Sequence, residues 1–220
     1  MKKKIFFIIF LITVLFITGC SNEKALEFKK EYESMNGVEG KNGKVHRTVS
    51  IDEDNPYEKV QAKDILDKIN NKDTFYVYFG DKLCPWCRSV IEKSIEVSKN
   101  KNIKKIYYVE IWNDEGEEIL RDKYILENGS PKKTIEGTEE YTKLLEVFKD
   151  LLKDYTLTNE AGEKIETGEK RIYAPNYIYI EKGVPKTLIT GISEKLTDSR
   201  GELTKEILED EEKIFNEFFK

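Results

Sequence analysis

The chain has 220 residues, 36% of them charged and 39% hydrophobic, with a formal net charge of −5. That length and balance suit one globular domain. The acidic excess argues against a nucleic-acid partner, which calls for a basic surface.

Met1–Gly19 stands apart from the rest. Lys2, Lys3 and Lys4 precede an apolar run from Ile5 to Ile17, broken only by Thr13. A basic start and a short apolar core read as a secretory signal, since a membrane span needs ~20 apolar residues. An uncleaved N-terminal anchor is the other reading, and under either the chain is exported and tethered. The run ends in Ile17-Thr18-Gly19-Cys20, which resembles a bacterial lipobox, with Ile17 and Thr18 as mild departures. That resemblance implies lipidation of Cys20, which becomes the first residue of the mature protein and the lipid anchor. Loss of the three lysines before Cys20 takes the net charge from −5 to −8. So acidic a chain is held at a membrane by lipid, and multiple acyl chains anchor stably where one is marginal. The expected location is the extracytoplasmic face of the cell membrane.

Residues 20–43 form a tether or N-terminal helix. Ala25, Phe28, Tyr32 and Met35 fall at helical spacing before Asn36-Gly37, and the helix serves as tether or packs. Lys44–Ile51 alternates, with Val45, Val49 and Ile51 apolar, which predicts a strand. His46 is expected there as a solvated residue, far in sequence from the chemistry described next. Asp54-Asn55-Pro56 reads as a turn. Ala62, Ile65, Leu66 and Ile69 give a helical face ending at Asn70-Asn71.

Thr74–Phe79 is apolar on both faces, as a central buried strand is. It runs through Gly80 and a short polar turn into Cys84-Pro85-Trp86-Cys87 and a helical pattern reaching about Lys99. A dithiol between a strand and a helix points to thiol–disulfide chemistry. At a helix N-terminus the first thiol is expected to face solvent, where free N–H groups and the helix dipole stabilise a thiolate. Pro85 suits the first helical turn, where its missing N–H is not needed. The competing reading of a CxxC is half a zinc site. Zinc wants four ligands, and Cys20, Cys84, Cys87 and His46 are a poor set for it. A static disulfide across so tight a loop removes little unfolded-state entropy. No metal and no cofactor are expected.

Lys104–Trp112 predicts another strand, giving β-α-β-α-β with parallel crossovers. Residues 113–171 are an insertion. It begins with a short helix around Glu117–Leu126 and a turn at Asn128–Pro131. A helix over Glu139–Lys153 and a hairpin around Asn159–Gly162 follow. The insertion is read as core packing, or as a cover that shapes a groove at the dithiol. Ala174-Pro175-Asn176 then leads into a strand over Tyr177–Ile180, with an X-Pro bond that can be cis. Glu181-Lys182-Gly183 is a turn, Pro185–Thr190 a last strand, and Gly201–Lys220 an amphipathic helix.

CPWC after a buried strand, Ala-Pro-Asn at a strand start, an EKG hairpin and a C-terminal helix resemble the thioredoxin superfamily over about Lys44–Lys220. The YFG…CPWCR segment on a lipoprotein is similar, more narrowly, to thioredoxin-like lipoproteins and bacteriocin-transport accessory proteins of Gram-positive bacteria. The resemblance implies a thioredoxin-like α/β fold, a central mixed sheet flanked by helices, with the insertion ahead of the cis-proline strand. It implies Cys84 as attacking thiol, Cys87 as resolving thiol and Pro175 as a cis-proline facing them. Ala174 offers backbone hydrogen bonds to an extended substrate, and Trp86 flanks the sulfur. The implied partners are thiols and disulfides of exported proteins and an unidentified redox partner. One departure is Tyr78, which stands where thioredoxin keeps a buried acid. Tyrosine is a poor base at neutral pH, so either water or another carboxylate, Glu110 being a candidate, serves as proton acceptor for Cys87, or resolution is slow, which leaves room for isomerase or oxidase behaviour. The rival reading is a redox-inactive binding lipoprotein acting as an accessory to secretion.

Overall fold

The computed structural model describes residues 23–41 and 43–220. The signal, the lipobox-like ending and Cys20 lie outside the described residues. No helix among the described residues is long and apolar enough to cross a membrane. The first half runs α1 (23–33), β1 (Tyr57–Lys59), α2 (Ala62–Asn70), β2 (Phe75–Gly80), α3 (Pro85–Asn100) and β3 (Ile106–Glu110). The insertion supplies β4 (Lys123–Glu127), β5 (Ser130–Ile135), α4 (Glu139–Phe148), β6 (Lys153–Thr158) and β7 (Lys164–Arg171). The chain closes with β8 (Asn176–Glu181), β9 (Val184–Ile189) and α5 (Lys205–Phe218).

Five strands form one sheet of order β1-β3-β2-β8-β9. β2 is parallel to β3 and antiparallel to β8, which makes the sheet mixed. Every residue of β2 is buried, because helices cover both faces. Tyr76 and Tyr78 point toward a cluster with α1, α3 and α5, while Val77 and Phe79 join Ile65, Leu144 and Phe148 of α2 and α4 on the other face. Each such side chain contributes about 1.5–3 kcal/mol by leaving water. This three-layer mixed α/β arrangement, with β2 leading into the dithiol, is the expected thioredoxin-like fold.

Several elements differ from the sequence reading. Lys44–Ile51 is not a sheet strand: Val45 makes a single bridge to Glu39, and the residues beyond it run extended over α3. Val49 and Ile51 are still buried, so the alternation was real. Side chains satisfy this backbone: Asn36 pairs with both polar groups of Val49, and the Ile51 and Ser50 amides donate to Glu33 and Glu92. The first sheet strand is instead β1, whose three residues are too few to display a period. The helix expected around Glu117–Leu126 is replaced by the β4–β5 hairpin. Asn128 and Gly129 adopt φ of +52° and +80°, the twist that a two-residue hairpin turn requires. α4 stops at Phe148 rather than Lys153, although Leu152 stays buried in the turn beyond it. α5 starts after Thr204, whose hydroxyl accepts the Ile207 amide, so Gly201 and Leu203 precede it. α1 packs: Ala25, Phe28 and Tyr32 are core residues.

Buried ion pairs tie the insertion to the segment before Pro175. Glu118 contacts both Arg121 and Arg171 and accepts the Trp112 indole N–H. Arg121 in turn donates to the Ile172 carbonyl, and Arg171 to that of Asp122.

Candidate functional site

β2 delivers the chain at Gly80 into the turn Asp81-Lys82-Leu83, and α3 begins at once. Asp81 shapes this turn. Its carboxylate accepts the Leu83 amide at 2.8 Å and the Trp112 amide at 3.0 Å, joining the turn to the end of β3. Burial, with the Glu110 charge adding to it, pushes the Asp81 carboxyl up to about 7. Cys84 is the N-cap of α3 and Pro85 its first residue. The Cys84 sulfur accepts the Cys87 amide at 3.3 Å, so a free N–H of the first turn points at it. Its thiol also faces the Ala174 carbonyl at 3.5 Å. The Ala174–Pro175 bond is cis, as the sequence suggested. Cys84, one helical turn from Cys87, thus meets Ala174, 90 residues on in the sequence and bonded to the cis-proline Pro175.

Cys84 corrects one expectation. It is not an exposed tip: it is 3% exposed and belongs to the core cluster, against which Trp86 and Ala174 pack. The cis-proline loop folds over the helix end and covers it. Cys87 is fully buried, and burial pushes its thiol well above the usual range, with the neighbouring Cys84 adding to the effect. The nearby Tyr78 hydroxyl and Asp81 backbone work the other way and lower it. Both cysteines are free thiols.

Tyr78 is itself enclosed, its hydroxyl 2.8 Å from that of Tyr32. Burial holds both phenols well above their usual pKa, so Tyr78 is no base at neutral pH. Gly80, two residues on along the same face of β2, makes room for it. A Cβ at Gly80 would stand 2.1 Å from the end of the Tyr78 ring. Glu110, the carboxylate considered for the proton of Cys87, is engaged by Lys59 at 2.8 Å and by Lys82 at 3.7 Å.

His46 is the second correction. It is 6% exposed, its Nδ1 lacks a partner, and burial with the nearby Arg88 charge holds its pKa below the usual value. It lines a cavity of about 380 Å³ with Leu83, Pro85 and Trp112. On the opposite side of the dithiol turn, Trp86, Ala174 and Pro175 line a groove of about 670 Å³. Pro85 and Trp86 therefore form a ridge between two concavities.

Sequence reasoning passed over Arg88, the residue after Cys87. It is fully buried, and its guanidinium donates only to neutral oxygens: the carbonyls of Arg47, Tyr32 and Lys82, and Asn36 Oδ1. One side chain thus fixes the turn before Cys84, the end of α1 and the extended segment over α3. An arginine at an otherwise apolar helical position was the available signal. Among the described residues no cluster of His, Cys, Asp and Glu is placed to hold a metal ion.

No family model matches this chain, and neither does any curated protein. Among solved structures it is similar to thioredoxin O2 from Arabidopsis thaliana in the oxidized state. The TM-score is 0.36 and the identity 10%, over 76% of this chain and 96% of that one.

Proposed function

We propose that this chain is a thiol–disulfide oxidoreductase, anchored through a lipid on Cys20 at the extracytoplasmic face of the membrane and acting on exported proteins. The observation that carries the reading is Cys84 at the N-cap of α3, its sulfur against the Cys87 amide and the Ala174 carbonyl beside Pro175. The Cys84 thiolate attacks one sulfur of a substrate disulfide. An S–S bond forms to Cys84, the substrate S–S bond breaks, and the first substrate thiolate leaves. Cys87 then loses its proton and attacks the Cys84 sulfur, which closes the Cys84–Cys87 disulfide and releases the second substrate thiolate. Two electrons pass from dithiol to substrate, and oxidation of substrate thiols runs the same steps backwards. A second exchange with an external dithiol or disulfide restores the starting state.

Burial of Cys87 suits this division of roles, because a thiol with a raised pKa stays protonated until the mixed disulfide brings an electrophilic sulfur next to it. The covered position of Cys84 favours the rival reading, a redox-inactive binding lipoprotein that keeps the fold. Trapping separates the two. Cys87→Ser should accumulate mixed disulfides with exported proteins, since attack proceeds and resolution cannot, and Cys84→Ser should trap far less. Equal trapping by both variants, or none by either, contradicts the oxidoreductase.

A further inference from the structure

α1 and α3 both run between the dithiol and the far end of the domain. α3 starts after Cys84 and finishes at Asn100, 16 residues that rise about 24 Å. Around its last turn, Lys99, Asn102 and Lys104 line a concavity that Lys24 and Ala25 of α1 line as well. The start of α1 therefore lies at the opposite end of α3 from the dithiol. α1 then runs back toward the chemistry, and its Tyr32 carbonyl accepts Arg88, the residue after Cys87.

α1 is fixed in that place. Ala25, Phe28 and Tyr32 are buried, and the Ala25 carbonyl accepts the Asn55 side chain at 2.8 Å. Its first residue, Glu23, comes three residues after Cys20. Three extended residues reach no further than about 11 Å. A lipid on Cys20 thus holds the far end of α3, not the dithiol, next to the bilayer. Charge favours the same face. Lysines hold the acids there: Lys99 pairs with Asp52 and Asp54, and Lys24 and Lys105 with Glu58. Among the described residues, the groups left without an ion pair are Lys101 and Lys104 against Glu23 and Glu53. This end is therefore neutral, in a chain whose net charge after Cys20 is −8. An anionic headgroup layer repels the acidic remainder of the domain and spares this face.

We propose that this end of the domain rests on the lipid headgroups, with Lys101 and Lys104 meeting headgroup phosphates, and that the dithiol faces outward, about 24 Å clear of them. The proposal rests on the lipid anchor at Cys20. Cys84 then serves exported chains, and a redox partner, that stand free of the bilayer. Thiols lying in the headgroup layer are out of its reach.

The test places the lipidated full chain in vesicles of phosphatidylcholine and phosphatidylglycerol whose headgroups carry a nitroxide, a short-range quencher. Trp86 and Trp112 are the chain's two tryptophans, and both lie at the dithiol end. Their emission should be unchanged in the unaltered chain. Glu53→Trp adds a third tryptophan on an exposed loop at the far end, beside the Lys99 contacts of Asp52 and Asp54. Most of the added emission should be lost. Lys101→Glu combined with Lys104→Glu should restore part of it, and more so as the share of phosphatidylglycerol rises. Quenching of Trp86 and Trp112 in the unaltered chain overturns the proposal whatever the variants do. Unquenched emission from Glu53→Trp in folded, vesicle-bound chain overturns it too, as does a double lysine variant quenched like its parent. Mass measurement reads the anchor separately: a chain without fatty acid removes the lipoprotein reading itself, and this orientation with it.

Discussion

Arg88 is a buried cation with no carboxylate among its hydrogen-bond partners in the described residues, and its removal should be among the costliest single changes in the chain. Its guanidinium makes five hydrogen bonds, from Nε, Nη1 and Nη2. Arg88→Met fits the aliphatic path and gives up the charge, which by itself can be neutral or favourable in a core. The acceptors decide the outcome. The Tyr32 carbonyl retains the Met35 amide, and Asn36 Oδ1 retains that of Val49. The carbonyls of Arg47 and Lys82 lose their donors and stay enclosed. Each orphaned carbonyl costs about 1–3 kcal/mol, so Arg88→Met should destabilise the chain by about 2–6 kcal/mol. Arg88→Lys keeps a donor group but not the planar fork, and should fall between the two. Urea unfolding followed by tryptophan fluorescence gives the numbers. Because Lys82 begins the turn before Cys84, alkylation of Cys84 in the folded Arg88→Met variant should also speed up. A loss under about 1 kcal/mol, with unchanged alkylation, would refute the view that Arg88 braces the dithiol turn.

Glu211 on α5 is fully buried with both carboxylate oxygens unpartnered, and burial pushes its carboxyl up to about 7 against the opposing charges of Arg47 and Lys93. A raised folded pKa means stability present below the unfolded value, about 4.3, and lost as pH rises through about 7. Glu211→Gln should therefore raise the unfolding midpoint at pH 8 and change it little at pH 5; equal shifts at both would place the charge elsewhere. Gly80→Ala should displace the Tyr78 ring and lower stability, which a urea midpoint equal to that of the unaltered chain would contradict. Cys20→Ala should abolish incorporation of labelled fatty acid, and labelling that persists would end the lipobox reading.

Elements with many residues of one period were legible in the sequence: β2, α2, α3, the β6–β7 hairpin and the return through Pro175 into β8. Elements decided by tertiary partners were not. Lys44–Ile51 has the period of a half-buried strand, yet the side chains of Asn36, Glu33 and Glu92 satisfy its backbone instead of a neighbouring strand. Ile119, Leu120, Ile125 and Leu126 fit a helix locally, and the Asn128-Gly129 turn overrides that. At the site, the CxxC between a strand and a helix was readable from motif and spacing, and the meeting of Cys84 with the Ala174-Pro175 segment came from the resemblance to the thioredoxin superfamily. The cover over Cys84 and the enclosure of His46 were not, because each depends on residues brought together across the fold. Asp81 read as one more polar turn residue, and its burial against Trp112 is a tertiary fact.

The central claim is that Cys84 and Cys87 form one exchanging couple, and equilibration of the full chain with glutathione tests it most directly. Acid quench and alkylation at a series of glutathione-to-glutathione-disulfide ratios count the free thiols. The account predicts that the Cys84 and Cys87 thiols disappear together, in a single two-electron transition that Cys84→Ser and Cys87→Ser both abolish. Thiols that stay free at every ratio, or that are lost independently of each other, would contradict it.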